Sequence, residues 1–137
     1  MALTVRRVQY FHANVHGEAD EAFSLLTHLA EQGVNLLALH SVPMGPDRTQ
    51  LTLFPDDPMR LLNAAKAAGL PLDGPHTAIL VQQEDTIGAI ARLHASLERA
   101  GVNVYASTAV VDGKGYFGYV IYLREDEADR ALVALRG

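Results

Sequence analysis

The chain contains no cysteine and no tryptophan, and aromatic residues make up only 7% of its 137 residues. Without cysteine there is no disulfide framework, no thiolate catalysis and no cysteine-based zinc or iron–sulfur site. No apolar run approaches the roughly 20 residues that a membrane helix needs, and the amino terminus lacks the long apolar stretch of a signal peptide. The lack of a membrane helix and of a signal peptide predicts a cytoplasmic protein without a membrane partner, whereas the lack of cysteine fits any compartment.

Basic residues are also few. The 11 Lys and Arg residues are outnumbered by 16 Asp and Glu residues, which leaves a formal net charge of −5. Nucleic-acid binding depends on clustered basic residues, and here only Arg6 and Arg7 are adjacent, so we expect no nucleic-acid partner. The composition, 49% hydrophobic and 20% charged, is typical of a globular domain.

What the sequence does contain is a repeated tripeptide. Gly-Val-Asn occurs at residues 33–35 and 101–103, each time after an amphipathic helix pattern and before an apolar run. At the same offset Leu29 aligns with Leu97. One glycine after a helix is a common cap and carries little information, but two copies in one register indicate a duplication. The sequence therefore predicts two repeats, residues 1–69 and residues 70–137.

Each half shows the same order of elements: strand, helix, strand, strand, helix. The predicted elements are residues 8–15, 20–32, 36–43, 50–54 and 58–68 in the first half, and residues 78–83, 88–100, 104–111, 116–123 and 126–135 in the second half. A helix joins the first two strands and a hairpin joins the next two, so the helices must lie on one face of an antiparallel sheet. This is an α+β fold of two ferredoxin-like βαββα(β) repeats.

A ferredoxin-like module usually has a further strand after its second helix, and the second half ends with that helix. Residues 70–73, which follow the corresponding helix of the first half, align with residues 2–5. We therefore expect residues 2–5 to complete the second sheet, which would interleave the two repeats.

The second half contains a distinctive loop before its first helix. The segment from Asp85 to Ile90, followed by Leu93, Leu97 and the stretch 101–104, resembles the ACT domain, a small regulatory module that senses amino acids. The resemblance covers the whole chain as a tandem pair. It implies a regulatory protein, not an enzyme, that binds an amino acid or a related small carboxylate without a cofactor and responds allosterically through the packing of its modules.

The residues of this loop suit such a ligand. A glycine at a helix start lets the backbone approach closely, and the free N–H groups of the first turn attract a carboxylate. Asp85 would take the ammonium group, with Gln83 and Asn103 as hydrogen-bonding partners. The predicted ligand-binding residues are Gln83, Asp85, Thr86, Ile87, Gly88, Ala89 and Asn103. In an alternative interpretation, Asp85 caps the helix and Asn103 closes the turn at Gly101.

The first half carries a weaker version of the loop. Asp20 stands where Gly88 stands in the second half, and acidic residues at a helix start suit the helix dipole but repel a carboxylate. The weaker candidates for ligand binding are His16, Gly17, Glu18 and Asn35.

Other chemistries have less support. The six histidines show no pair with metal-ligand spacing, so no metal site is predicted. Exposed strand edges favour self-association, and we expect a homodimer. One alternative is a structural or dimerisation module whose loops bind nothing. Another is a small ferredoxin-like isomerase or monooxygenase, whose apolar pocket would be lined by Tyr105, Tyr116, Tyr119 and Tyr122.

Overall fold

The computed structural model describes residues 3–17 and 19–137. These residues form strands and helices in an α+β arrangement with antiparallel strand pairing, as the sequence predicted. In chain order the elements are β1 (Thr4–His16), α1 (Ala19–Glu31), β2 (Leu36–Pro43), β3 (Arg48–Pro55), α2 (Pro58–Ala68), β4 (Asp73–Glu84), α3 (Ala89–Arg99), β5 (Ala106–Val111), β6 (Tyr116–Tyr122) and α4 (Ala128–Arg136).

The chain separates into two compact units. The first unit is Gln9–His76, and the second unit is Thr77–Gly137 together with the amino-terminal segment up to Val8. The long strands β1 and β4 each contribute residues to both units. No helix in the described part of the chain is long and apolar enough to cross a bilayer.

The first unit buries one face of its strands under two helices. Strand β3 pairs with β1 on one side and with β2 on the other. Side chains alternate across a strand, so Phe11 and Ala13 of β1 face the helices while Tyr10 and His12 lie on the opposite face. The core consists of Phe11, Ala13, Ala22, Leu29, Val34, Leu51, Leu53, Leu61 and Ala64.

The second unit repeats this plan. Strand β6 pairs with β4 and β5, and the core contains residues from β4, β6, α3 and α4. Val5 of β1 also belongs to this core and is only 6% exposed. Arg136 near the end of α4 donates a hydrogen bond of 2.7 Å to the carbonyl oxygen of Val5. Ala2, which the sequence places in the same segment, lies outside the described residues.

The two Gly-Val-Asn tripeptides adopt the same turn. Gly33 and Gly101 have φ angles of 78° and 72°, in the left-handed region that glycine adopts without strain. Val34 donates to the carbonyl of Leu29 and Val102 to that of Leu97, each over 3.0 Å, and both valines are buried. This backbone pattern closes a helix end and turns the chain into the following strand.

The predicted start and end of α2 are confirmed. The carboxylate of Asp57 accepts a hydrogen bond of 3.3 Å from the backbone N–H of Arg60, and Pro58 occupies the first turn of the helix. Gly69 caps the carboxyl end with a φ of 67°. These positions follow from elementary capping chemistry, because proline lacks an N–H that the first turn would leave unpaired anyway.

Two strands begin four or more residues earlier than the sequence pattern predicted. Strand β1 begins at Thr4 instead of residue 8, and β4 begins at Asp73 instead of residue 78. In β1 the buried residues Val5 and Val8 are separated by two exposed arginines, which interrupts the alternation typical of a strand. The sequence pattern placed the start of β4 too late because Pro75 lies within it, and proline is rare within strands.

Candidate functional site

The loop between β4 and α3 leaves the start of that helix open. Gly88 occupies the N-cap position with a φ of 82°, and no described side chain caps α3. Asp85 instead donates its backbone N–H to the carbonyl of Gly115 over 2.9 Å, which holds the loop against the hairpin between β5 and β6. The alternative interpretation, in which Asp85 caps the helix, is therefore wrong, and its exposed carboxylate is not used in capping.

Arg92, one turn into α3, contacts the loop through its side chain and was not among the predicted site residues. Its guanidinium donates to the carbonyl of Ile87 over 3.1 Å and to the hydroxyl of Thr86 over 2.9 Å. A long side chain in a helix points back toward the preceding turn, so an arginine four residues after the N-cap glycine was the available signal. Arg92 adds a positive charge to a helix end that already favours anions.

The remaining loop positions differ in exposure. Gln83 near the end of β4 is half-buried and pairs with Phe117, while Ile87 is fully exposed. Ala89 is buried in the core of the second unit and donates its N–H to the carbonyl of Thr86 over 3.1 Å. The loop thus presents polar groups and one uncovered apolar side chain to solvent.

Asn103 is not next to this loop. The strand register places Gln83 opposite Phe117, which in turn faces Val111 at the far end of β5. Asn103 precedes Ala106, which is opposite Tyr122 and thus level with Ala78 of β4. Ala78 and Gln83 are five residues apart on β4, so about 17 Å of strand separates these two ends. The expected bridge from Asn103 to a ligand beside Asp85 therefore does not form within one unit.

Backbone contacts account for the position of Asn103. Its N–H donates to the carboxylate of Glu127 over 2.7 Å, in the short 3-10 turn Glu125–Glu127 before α4. The preceding turn is closed by the backbone bonds of Gly101 and Val102, so its closure does not need the asparagine side chain.

The first unit shows the same separation. His16 at the end of β1 is opposite Arg48, and Gly17 donates its N–H to the carbonyl of Asp47 over 2.7 Å. Asn35 lies before Leu36 at the other end of the strands, where its carbonyl accepts from Asp56. Glu18 lies outside the described residues.

Three solved structures illustrate the proteins that this chain resembles in fold. Two of them are named as regulatory subunits of aspartate kinase. Protein BT0572 from Bacteroides thetaiotaomicron has a TM-score of 0.82 and 17% identity, covering 96% of this chain and 88% of that one. The ligand-free regulatory subunit of aspartate kinase from Thermus thermophilus has a TM-score of 0.66 and 16% identity, covering 99% and 95%. The corresponding subunit from Thermus flavus has a TM-score of 0.61 and 18% identity, covering 98% and 94%. No protein-family model matches the sequence, and a search of curated proteins finds no match.

The chain has an ACT-like fold. At these identities the likeness establishes the fold alone, and the expected resemblance is confirmed at that level. Within the ACT-like fold the loop of residues 85–88 joins β4 to the open start of α3.

The four tyrosines of the enzymatic alternative do not line one pocket of this ACT-like fold. Tyr119 is buried on the helix-covered face, where its hydroxyl contacts the ring of His94 on α3. Tyr116 and Tyr122 alternate to the opposite face of β6, and Tyr105 is 59% exposed. The aromatic pocket expected for an isomerase or monooxygenase is therefore not assembled from these residues.

The first unit of the ACT-like fold also brings together three residues far apart in sequence. His12 of β1 lies near Asp73 and His76 of β4, and one ligand-type atom from each residue lies within 4.8 Å of the others. His76 Nε2 is 3.1 Å from an oxygen of Asp73. Burial lowers the pKa of His12 below its usual value, as does the charge of His76, while Asp73 opposes the shift. We call these three residues the His–Asp cluster.

Proposed function

We propose that this protein is a regulatory module that binds a small amino acid, or a related carboxylate, at the start of α3. The observation that carries the proposal is the coincidence of an uncapped helix start at Gly88 with the guanidinium of Arg92. The second and third N–H groups of a helix have no partner within the helix, and they attract a carboxylate together with the helix dipole. Arginine adds a charge-assisted donor at the same place.

The opposite pole of a zwitterion has partners in the same loop. The carboxylate of Asp85 is exposed and takes no part in capping, so it is available for an ammonium group. Gln83, half-buried at the end of β4, offers both a donor and an acceptor. Thr86, Ile87 and Ala89 shape the loop between these groups. Free amino acids fit this combination of one anion-binding and one cation-binding end.

The similar solved structures support a regulatory role for the fold. Two of them are named as regulatory subunits of aspartate kinase. We infer that this chain also acts through ligand-dependent packing of its modules, as a binding protein instead of an enzyme. The predicted location in the cytoplasm belongs to the same proposal and rests on the sequence.

Asn103 reaches this ligand from a second copy of the chain. The register separates it from the loop by the length of the strands, so one copy does not supply both. The edge strand β5 offers a surface for a second copy, because each of its residues is exposed. The proposal is therefore a homodimer in which Asn103 of each copy faces the loop of the other.

A thermal-shift screen against the free amino acids at millimolar concentration tests the binding proposal. A ligand at one hundred times its dissociation constant stabilises the folded protein by about 2.7 kcal/mol, which raises the melting temperature by several degrees. We expect at least one amino acid to produce such a shift, and Arg92→Met to weaken the binding about tenfold or more.

The matched control is Arg99→Met on the same helix. Arg99 is exposed and donates to Ser96, away from the helix start, so its replacement should leave the affinity unchanged. If no amino acid shifts the melting temperature, the binding proposal is wrong, and the exposed residues of β5 favour the dimerisation module instead. Equal effects of the two variants would place the ligand elsewhere.

A further inference from the structure

The His–Asp cluster has the donor set of a transition-metal site. Two imidazoles and one carboxylate are ligands that Zn²⁺ and its neighbours in the first transition row prefer, whereas Mg²⁺ and Ca²⁺ prefer oxygen ligands alone. Metal–ligand bonds of about 2.0 to 2.2 Å place adjacent ligand atoms about 3 to 3.5 Å apart. His76 and Asp73 already meet at 3.1 Å, and the three ligand atoms lie within 4.8 Å of one another. Metal binding would draw these atoms from within 4.8 Å of one another to about 3 to 3.5 Å.

His12 is held in an orientation that leaves a ring nitrogen for a metal. Its Nδ1 lies 3.1 Å from the hydroxyl of Thr52, its cross-strand partner, which is only 4% exposed. A hydrogen bond at one ring nitrogen fixes the imidazole and directs the other nitrogen to the metal. Such supporting partners are a regular feature of metal-binding histidines.

A buried tyrosine packs against both imidazoles. The ring centroid of Tyr10 is 5.4 Å from that of His12 and 5.2 Å from that of His76. Tyr10 in turn packs on Phe54 at 5.1 Å, and both are almost fully buried. The two histidines therefore stand on a rigid aromatic base, which favours a fixed ligand geometry.

Gly74 allows the strands to come this close. A Cβ atom at this position would lie 2.9 Å from the carbonyl oxygen of Tyr10 and 2.9 Å from the ring of Phe11. The absence of a side chain lets the start of β4 approach β1, with Asp73 and His76 on either side of the close contact. The site remains open to solvent, since the side chains of Asp73 and His76 are 69% and 39% exposed.

We propose that His12, Asp73 and His76 bind a divalent transition-metal ion such as Zn²⁺. Three protein ligands leave at least one coordination position for water or for a further ligand. All three residues belong to the first unit, so this site is independent of the amino-acid site proposed at the start of α3. The bound ion connects β1 to the beginning of β4.

Metal titration of the full chain, prepared without a histidine tag and treated with a chelator, tests the proposal. We expect one equivalent of Zn²⁺ per chain by isothermal titration calorimetry, with a rise in melting temperature that Mg²⁺ does not reproduce. Co²⁺ as a spectroscopic probe should show visible absorption that Zn²⁺ displaces.

Variants separate the cluster from the other histidines. Asp73→Asn and His76→Gln change exposed or half-exposed side chains and should weaken Zn²⁺ binding more than tenfold without unfolding the protein, as checked by circular dichroism. Thr52→Val should weaken it about tenfold through the orientation of His12. The controls are His16→Ala, on the same strand as His12, and His40→Ala on β2, which should leave the affinity unchanged.

Two results would overturn the proposal. One is the absence of stoichiometric Zn²⁺ binding by the chelator-treated wild-type chain. The other is binding that survives His76→Gln but is lost in His16→Ala or His40→Ala, which would assign the metal to surface histidines. Neither result would affect the amino-acid proposal, because its screen uses free amino acids and its variants lie in the second unit.

Discussion

At the residue scale, two glycines with positive φ illustrate different physical constraints. Gly101 has a φ of 72° and open space where a Cβ would stand. Gly74 has a φ of 145°, and a Cβ there would contact the backbone oxygen of Tyr10 at 2.9 Å. A side chain at Gly101 therefore meets only conformational strain, whereas one at Gly74 also meets backbone that has little freedom to move.

We expect Gly101→Ala to lower the free energy of unfolding by about 1 to 2 kcal/mol, the cost of a left-handed conformation. Gly74→Ala should cost about 1 to 3 kcal/mol more, because overpacking adds to the strain. Urea denaturation of both variants measures the difference. Equal costs would show that β4 can move away from β1 at this point without loss.

At the element scale, the start of β1 packs against residues near the other end of the chain. Val5 is 6% exposed within the core of the second unit, while Leu3, two residues earlier, is 40% exposed. Arg136 of α4 also donates to the carbonyl of Val5. We predict that residues 2–5 complete the sheet of the second repeat, which would make the repeats at 1–69 and 70–137 interleaved.

Deletion of residues 1–5 should therefore destabilise the second unit. The matched point variants are Val5→Ala and Leu3→Ala. Val5→Ala removes two buried carbon atoms from the side chain and leaves a cavity in the core. It should therefore lower the free energy of unfolding by about 2 kcal/mol. Leu3→Ala should change it by less than about 0.5 kcal/mol. A deletion that melts at the wild-type temperature would contradict the interleaved arrangement.

At the scale of the whole molecule, the separation of Asn103 from the loop at Asp85 makes the proposed ligand site depend on a second copy. Val110 and Val111 near the end of β5 are 71% and 57% exposed, which is unusual for valines on a strand. An edge strand with exposed apolar residues and no protective charge is prone to pair with another chain.

Size-exclusion chromatography with light scattering should therefore give a mass of twice the 14.8 kDa of one chain. Val110→Lys should produce a monomer, because a charge on the edge strand opposes pairing. The control Val133→Lys changes a valine of α4 that is 73% exposed, and this variant should remain a dimer.

In the dimer, Asn103→Ala should weaken amino-acid binding, whereas Asn35→Ala should affect stability alone. A monomeric wild-type chain would rule out this arrangement.

Much of the fold was predictable because it depends on local chemistry. The turn at Gly101, the cap at Asp57 and the end of α2 at Gly69 each depend on a few neighbouring residues. The open loop before α3 was predictable for the same reason. Arg92 was not predicted although its spacing from Gly88 is visible in the sequence, because it belongs to α3 and only its long side chain returns to the loop.

The sequence by itself determined the order of elements, the two Gly-Val-Asn turns and the unprotected start of α3. Helix periodicity, capping and glycine conformation each depend on a few neighbouring residues. These features can therefore be predicted from short stretches of sequence. Only the tertiary structure decided that Asn103 lies away from Asp85 and that His12 meets Asp73 and His76. Strand register and the close approach at Gly74 set those distances, and both depend on which strands pair across long stretches of chain.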